Sequence, residues 1–201
     1  METDVIDTLV GIAPGSALDA IRARRKQARE QAQASYRALF APDEASGVSG
    51  TERFAVAVFA TGLHGEAETA AYYKERLVAS GAPAELRQAI DAAVAAAISA
   101  PGGQGPYGSF PAGPLSREDA PGPTHRVAPD TRLVLGKRLA TAFEHMHMLV
   151  FHPRDAAPAA LQPLLDAGWS TTDIVTLSQI TSFLAFQIRV VAGLRVLSAS
   201  I

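Results

Sequence analysis

Apolar residues recur along this chain with the three-to-four spacing of helices, and almost nowhere with the alternation of strands. Ser16 stands where it can cap a helix running to about Phe40, with Leu18, Ile21, Ala28, Tyr36 and Leu39 as a broken apolar stripe. "SGTE", Ser49 to Glu52, has the spacing of a capping box and opens the apolar run "RFAVAVFATGL". "EAETAAYYKERLVAS" follows and stops at Gly81, with basic residues toward its end as the helix dipole prefers. "APAELRQAIDAAVAAAIS" begins with Pro83 in a first turn and consists almost wholly of helix formers. From Pro101 to Pro129 the pattern vanishes: "PGGQGPYGSFPAGPLSREDAPGPTHRVAP" is dense in Gly and Pro and reads as a surface crossing between two halves. Helix resumes at about Thr131 through "LGKRLATAFEHMHMLVF", a short helix "APAALQPLLDA" ends at Gly168, and "STTD" caps a last helix to about Ser198. That last helix is apolar on nearly all sides, which predicts a place in the core or in a subunit contact.

The predicted architecture is therefore all-α. Each half has an apolar helix, a shorter helix ended by glycine, a capped or proline-led start and another apolar helix. Two degenerate copies of one helical unit are the expectation. The chain divides into an N-terminal helix and linker (1–48), a first repeat (49–100), the Gly/Pro-rich connection (101–130) and a second repeat (131–201), forming one compact domain.

Composition narrows the chemistry more than the fold. No cysteine occurs among 201 residues, which removes disulfides, thiolate nucleophiles and cysteine-type zinc sites. A net charge of -2 gives no global pull toward nucleic acid or an anionic membrane. In "RARRKQARE" the charges at Arg22, Arg24, Arg25, Lys26 and Arg29 spread around the helix without aromatics, so a solvated face is expected. "PGGQGPYGSF" lacks the Lys-Ser/Thr of a phosphate loop. The acidic N-terminus shows no secretory pattern, and Ile174 to Ile188 is shorter than the roughly 18–20 residues of a membrane span. A cytoplasmic protein without nucleic-acid or membrane partners is the expectation.

"ERFAVAVFATGLHGEAETAAYYKERLVASGAP" and "GWSTTDIVTLSQITSFLAFQIRVVAGLRVL" resemble the alkylhydroperoxidase D-like, or carboxymuconolactone decarboxylase, superfamily in its two-repeat, peroxidase-related branch. The resemblance covers roughly 50–100 and 133–197 and rests on helix order and spacing. That family's CxxCxxxH, counted back from Gly81, falls here on Glu66, Thr69 and Tyr73, and the histidine between its cysteines on Glu68. Its relay glutamate falls on Phe54, two residues from Glu52, and in the second half the matching positions are Pro153, Ala156 and Ala160. The resemblance implies a homo-oligomer, a dimer or larger. It also implies a peroxidase by name, for which this chain has no thiol, and lyase-type chemistry without a cofactor on the decarboxylase side.

Two clusters are candidates for that chemistry. His64, Glu66 and Tyr73 bring an imidazole, a carboxylate and a phenol near one helix face, which suits acid–base work on a small molecule. The same residues also read as core aromatics and helix-start carboxylates. Glu144 and His147 stand three apart, the spacing of carboxylate-bridged di-metal bundles, but no second Glu-x-x-His exists and His145 and His147 point to different faces. No metal and no cofactor are expected; Glu144 and His147 are kept as pocket residues. His152 falls at the helix end, where a cationic imidazole is favourable. Arg189, in so apolar a helix, should find a carboxylate, a carbonyl or a subunit neighbour. Two functions stay open: a cofactor-free enzyme with a non-thiol site, or a catalytically silent binding or partner protein of the same fold.

Overall fold

A computed structural model describes residues 3–43, 46–99 and 107–201. Among them the regular structure is helical: α1 (Val5–Val10), α2 (Ala17–Ala23), α3 (Lys26–Phe40), α4 (Gly50–Leu63), α5 (Ala67–Ala79), α6 (Ala84–Ser99), α7 (Pro129–Phe151), α8 (Gln162–Asp166) and α9 (Thr171–Ser198). Short 3-10 turns at Pro114–Glu118, Pro153–Asp155 and Pro158–Leu161 and one isolated bridge between Gly108 and Ala120 complete it. The expected loop at 101–130 thus holds one turn and one bridge in its described part, while 100–106 lie outside the described residues.

α4 is the centre. It packs against α5, α6, α7 and α9, and Ala55, Val56, Ala57, Phe59 and Ala60 are wholly buried. A helix that is apolar all round has only this place to go. The capping box forms as the sequence predicts: Ser49 Oγ accepts from Glu52 N, and Ser49 N donates to Glu52 Oε2 at 2.8 Å. The second box forms likewise between Ser170 and Asp173 at the start of α9.

Three expectations need correction. The helix expected from Ser16 to Phe40 is broken into α2 and α3, and a further helix, α1, precedes them, capped by Asp4 and closed by Gly11. The basic run lies only partly on a solvated face: Arg24, Arg25 and Lys26 are exposed as expected, whereas Arg22 and Arg29 turn inward. Arg22 is buried and pairs with Asp4 at 2.8 Å and with Asp7, while Arg29 reaches Asp7 and, at 2.8 Å, Asp19. Next, α9 runs 28 residues and is long and apolar enough to cross a membrane by length and composition, so the limit read from Ile174–Ile188 does not describe the whole helix. It packs against α1, α2, α3, α4 and α7 yet leaves Val175, Phe186 and Val196 exposed. Finally, Arg189 finds a carbonyl partner as expected, Ala185 at 2.6 Å, but does so exposed on α9; the buried polar group there is Gln187.

One junction ties the halves together. Arg138 of α7 donates to Glu52 Oε1 at 3.0 Å, to the Gly47 carbonyl at 2.9 Å and to the Gly168 carbonyl at 2.6 Å, with its guanidinium 3.7 Å over the Trp169 ring. Trp169 is buried and its indole N–H donates to the Arg138 carbonyl at 2.9 Å. Gly47 passes so near α9 that a Cβ there would fall 2.3 Å from an Asp173 carboxylate oxygen.

Candidate functional site

The first sequence cluster sits where α4 turns into α5. His64 is the residue after α4, half-buried, with a buried Nε2 that has no hydrogen-bond partner. Burial lowers its pKa, and the nearby Arg189 charge adds to this. Glu66 precedes α5 at the cap position, half-buried, and makes no side-chain cap bond. Tyr73 is wholly enclosed and packs on Phe40, with ring centres 5.2 Å apart. Its hydroxyl donates to Gln187 Oε1 at 2.8 Å. Burial, then the neighbouring Tyr36, pushes the phenol well above its usual pKa. Tyr36 and Tyr72 share a hydroxyl–hydroxyl bond of 2.9 Å beside it. Thr69, on the same face of α5, is fully buried with its hydroxyl oxygen unpartnered.

Among the described residues no hydrogen bond or ion pair joins His64, Glu66 and Tyr73, and none of them lines the cavity described below. Tyr73 holds the core instead. Tyr73→Phe leaves the Gln187 carbonyl oxygen in apolar surroundings, so urea denaturation should show a loss of about 1–3 kcal/mol. An unchanged midpoint would mean that the bond carries nothing.

The second cluster does form a cavity. α7 supplies Thr141, Glu144, His145, His147 and Met148 to a pocket of about 240 Å³, closed from the far side by Ala160, Pro163 and Leu164. His145 and His147 share it although, two residues apart, they lie on different faces of the helix. His125 comes from the segment leading into α7 and stacks on His147, ring centres 5.0 Å apart at 27°. Phe59 lies next to His125, ring centres 6.1 Å apart, and stacks on Phe143 at 4.2 Å. Phe151 lies 4.7 Å from His147 on another side.

The electrostatics of this pocket follow from burial. His147 is 1% exposed, and burial together with the neighbouring His125 and His152 lowers its pKa to about 4. Burial also lowers His145, and lowers His125 against the opposing charge of Glu144. Three neutral imidazoles therefore face one cavity at neutral pH. Two have a buried ring nitrogen with no hydrogen-bond partner, Nε2 of His125 and Nδ1 of His145. Native interiors seldom leave such atoms unsatisfied.

Glu144 has a different part. Its Oε1 accepts from Val127 N at 3.0 Å and from Arg132, and its Oε2 accepts from Arg126 at 3.0 Å. Those bonds occupy the carboxylate and make it the clamp that holds 125–132 over the pocket. His152 makes a second latch: Nδ1 lies 3.1 Å from Asp155 Oδ2 and Nε2 lies 3.1 Å from the Pro123 carbonyl. Both partners are acceptors, so the ring is held between two oxygens. Gly122 lies against that ring so closely that a Cβ would meet His152 Cγ at 2.3 Å.

The structure thus brings Glu144 and His147 together in one cavity and leaves His64, Glu66 and Tyr73 at another place. Sequence reasoning missed His125 as a site residue because it lies in a Gly/Pro-rich stretch read as surface. Its signal is the pair His125 and Val127, both buried just before α7 begins. Among the described residues no three His, Asp or Glu side chains stand together in a way that could hold one metal ion. No family model, curated protein or solved structure matches this chain.

Proposed function

We propose that the chain is a cofactor-free acid–base enzyme for a small carbonyl-bearing molecule, working in the cavity of His125, His145 and His147 on an alkylhydroperoxidase D-like scaffold. The observation that carries this reading is the convergence of three neutral imidazoles, two with unpartnered buried nitrogens, on one cavity. A volume of about 240 Å³ is below the roughly 300–1,000 Å³ of sites for drug-sized ligands, so a small substrate fits. An imidazole with a pKa near 4 is a weak base. It suits removal of an already acidic proton, or donation of an N–H to a carbonyl oxygen as charge develops there. Thiol peroxidase chemistry has no residue to run on, because the chain has no cysteine.

Helix order supports the scaffold reading. α4–α5–α6 and α7–α8–α9 share the sequence of long helix, shorter helix, left-handed glycine and capped or proline-led helix, with Gly81 at φ 83° and Gly168 at φ 89°. The silent-protein reading has one observation in its favour: the face of α5 that would match the family's cysteines is packed shut, with Thr69 and Tyr73 unexposed.

Hydrolysis of 4-nitrophenyl acetate tests for a reactive neutral imidazole. The native chain should hydrolyse it above buffer at pH 7, His147→Gln should lose that rate, and His64→Gln should keep it. Loss on His64→Gln with retention on His147→Gln, or no rate above buffer, overturns the assignment.

A further inference from the structure

The three imidazoles of the cavity are shut from solvent: His125 and His145 are 8% exposed and His147 1%. A molecule reaches them only if one wall moves. Two walls are fastened. The part of α7 after Gly136 is held by the Arg138 junction and by Lys137, whose Nζ donates to the Asp166 carbonyl at 2.5 Å. α8 is anchored by Leu164, which is wholly buried and whose carbonyl accepts from the Trp169 amide at 3.1 Å.

The third wall is the run 121–135, which brings Thr124, His125 and Arg126 to the cavity. Both of its ends are marked. Before it, Gly108 and Ala120 form the isolated bridge, and Ser109 N donates to Asp155 Oδ1 at 3.0 Å. After it, Gly136 interrupts α7 at φ 71° and ψ 167°, a backbone conformation that belongs to glycine. α7 thus has a joint where its fastened part begins. Between those ends the buried side chains are His125, Val127 and Leu135, while Leu133 is 83% exposed. Little apolar surface holds the run down, so its hold comes mainly from the Glu144 clamp and from the bond between His152 and the Pro123 carbonyl. Segments of this kind open at far lower free energy than a packed core. The closed state also leaves His125 Nε2 buried without a partner, a cost that opening relieves by giving the atom to water.

We infer that 121–135 is a lid on the histidine cavity, which swings about Gly136 when Glu144 and His152 let go, admits a small molecule, and returns His125 to the cavity on closing. A ligand that bonds to His125 Nε2 removes the cost of the closed state and so favours closure. The inference rests on the reading of this cavity as a small-molecule site, but the opening itself is measured without turnover.

The test is modification by diethyl pyrocarbonate at pH 7, with His147 and His64 followed separately by peptide mass spectrometry. His147 is 1% exposed, so its rate follows the open population, whereas His64 does not line the cavity and serves as the reference. The lid can be locked cleanly because the chain has no cysteine of its own. A Cβ on Gly122 would fall 2.6 Å from His152 Cβ. A disulfide holds its two Cβ atoms about 3.8 Å apart, so a shift of about 1 Å lets Gly122→Cys pair with His152→Cys. Oxidised, this double variant should react at His147 at least about tenfold more slowly than when reduced, with His64 unchanged. Glu144→Gln keeps the shape of the clamp without its charge, and should speed His147 at least about threefold with an unaltered circular dichroism spectrum. Thiols that stay free under oxidation, equal His147 rates in the oxidised and reduced forms, or an unchanged rate in Glu144→Gln each overturn the lid. So does a native chain in which His64 reacts and His147 never does. The expected His147 rates in a chain that hydrolyses no 4-nitrophenyl acetate would support the lid and remove the enzymatic reading alone.

Discussion

Replacing Phe59 by alanine should lower the stability of the protein by about 3–5 kcal/mol, the range for deleting a buried aromatic ring from a close-packed core. Phe59 is 0% exposed on the central helix, and its ring lies parallel to Phe143 at 4.2 Å, with an interplanar angle of 1°. The ring also lies next to His125, so its loss opens a hole beside the histidine cavity as well as in the core. Urea denaturation followed by circular dichroism gives the number, provided the slope stays constant. Phe186→Ala is the comparison. Phe186 is 47% exposed, so its removal should cost far less. Equal losses at the two positions would contradict the central place of α4.

Acidification should destabilise the protein through His147 by an amount on the order of 3 kcal/mol, since the pKa falls from 6.5 to about 4 and each unit is worth about 1.4 kcal/mol. The sign follows from proton uptake. Below pH 6.5 the unfolded chain takes a proton on this residue, and the folded chain refuses it until about pH 4. Stability is therefore full above pH 6.5, falls as pH drops from 6.5 to about 4, and levels off below. His125 and His145 act in the same direction, because burial lowers both. Urea midpoints measured across this window should fall less steeply for His147→Gln than for the native chain. NMR titration of the His147 ring should find it neutral at pH 5. A ring already half-charged at pH 6 would remove both this prediction and the proposed role of His147.

Helix existence was legible in the sequence wherever a local rule decided it. Ser49 with Glu52 and Ser170 with Asp173 are three-residue signals, and both boxes form. The break between α2 and α3 was not legible, because it depends on Asp4 and Asp7 of a helix that the periodicity did not reveal. Six residues are too few for a periodic stripe. For the site, Glu144 and His147 were found through their spacing, yet the role of Glu144 depends on Val127, Arg126 and Arg132, which only the folded chain brings to it. His125 was hidden by composition: a proline-rich stretch usually lies outside, and here it is held inward by that same carboxylate. The phenol of Tyr73 suggests chemistry, but its partner, Gln187, lies 114 residues away on α9 and makes it a core bond.

The Arg138 junction bears on how the molecule comes apart. One guanidinium touches the capping box of α4, the carbonyl of Gly47 before it and the carbonyl of Gly168 before α9. The start of the first half and the start of the last helix therefore share a single fastening. Fraying of either end should weaken the other, which couples the opening of the two helix starts.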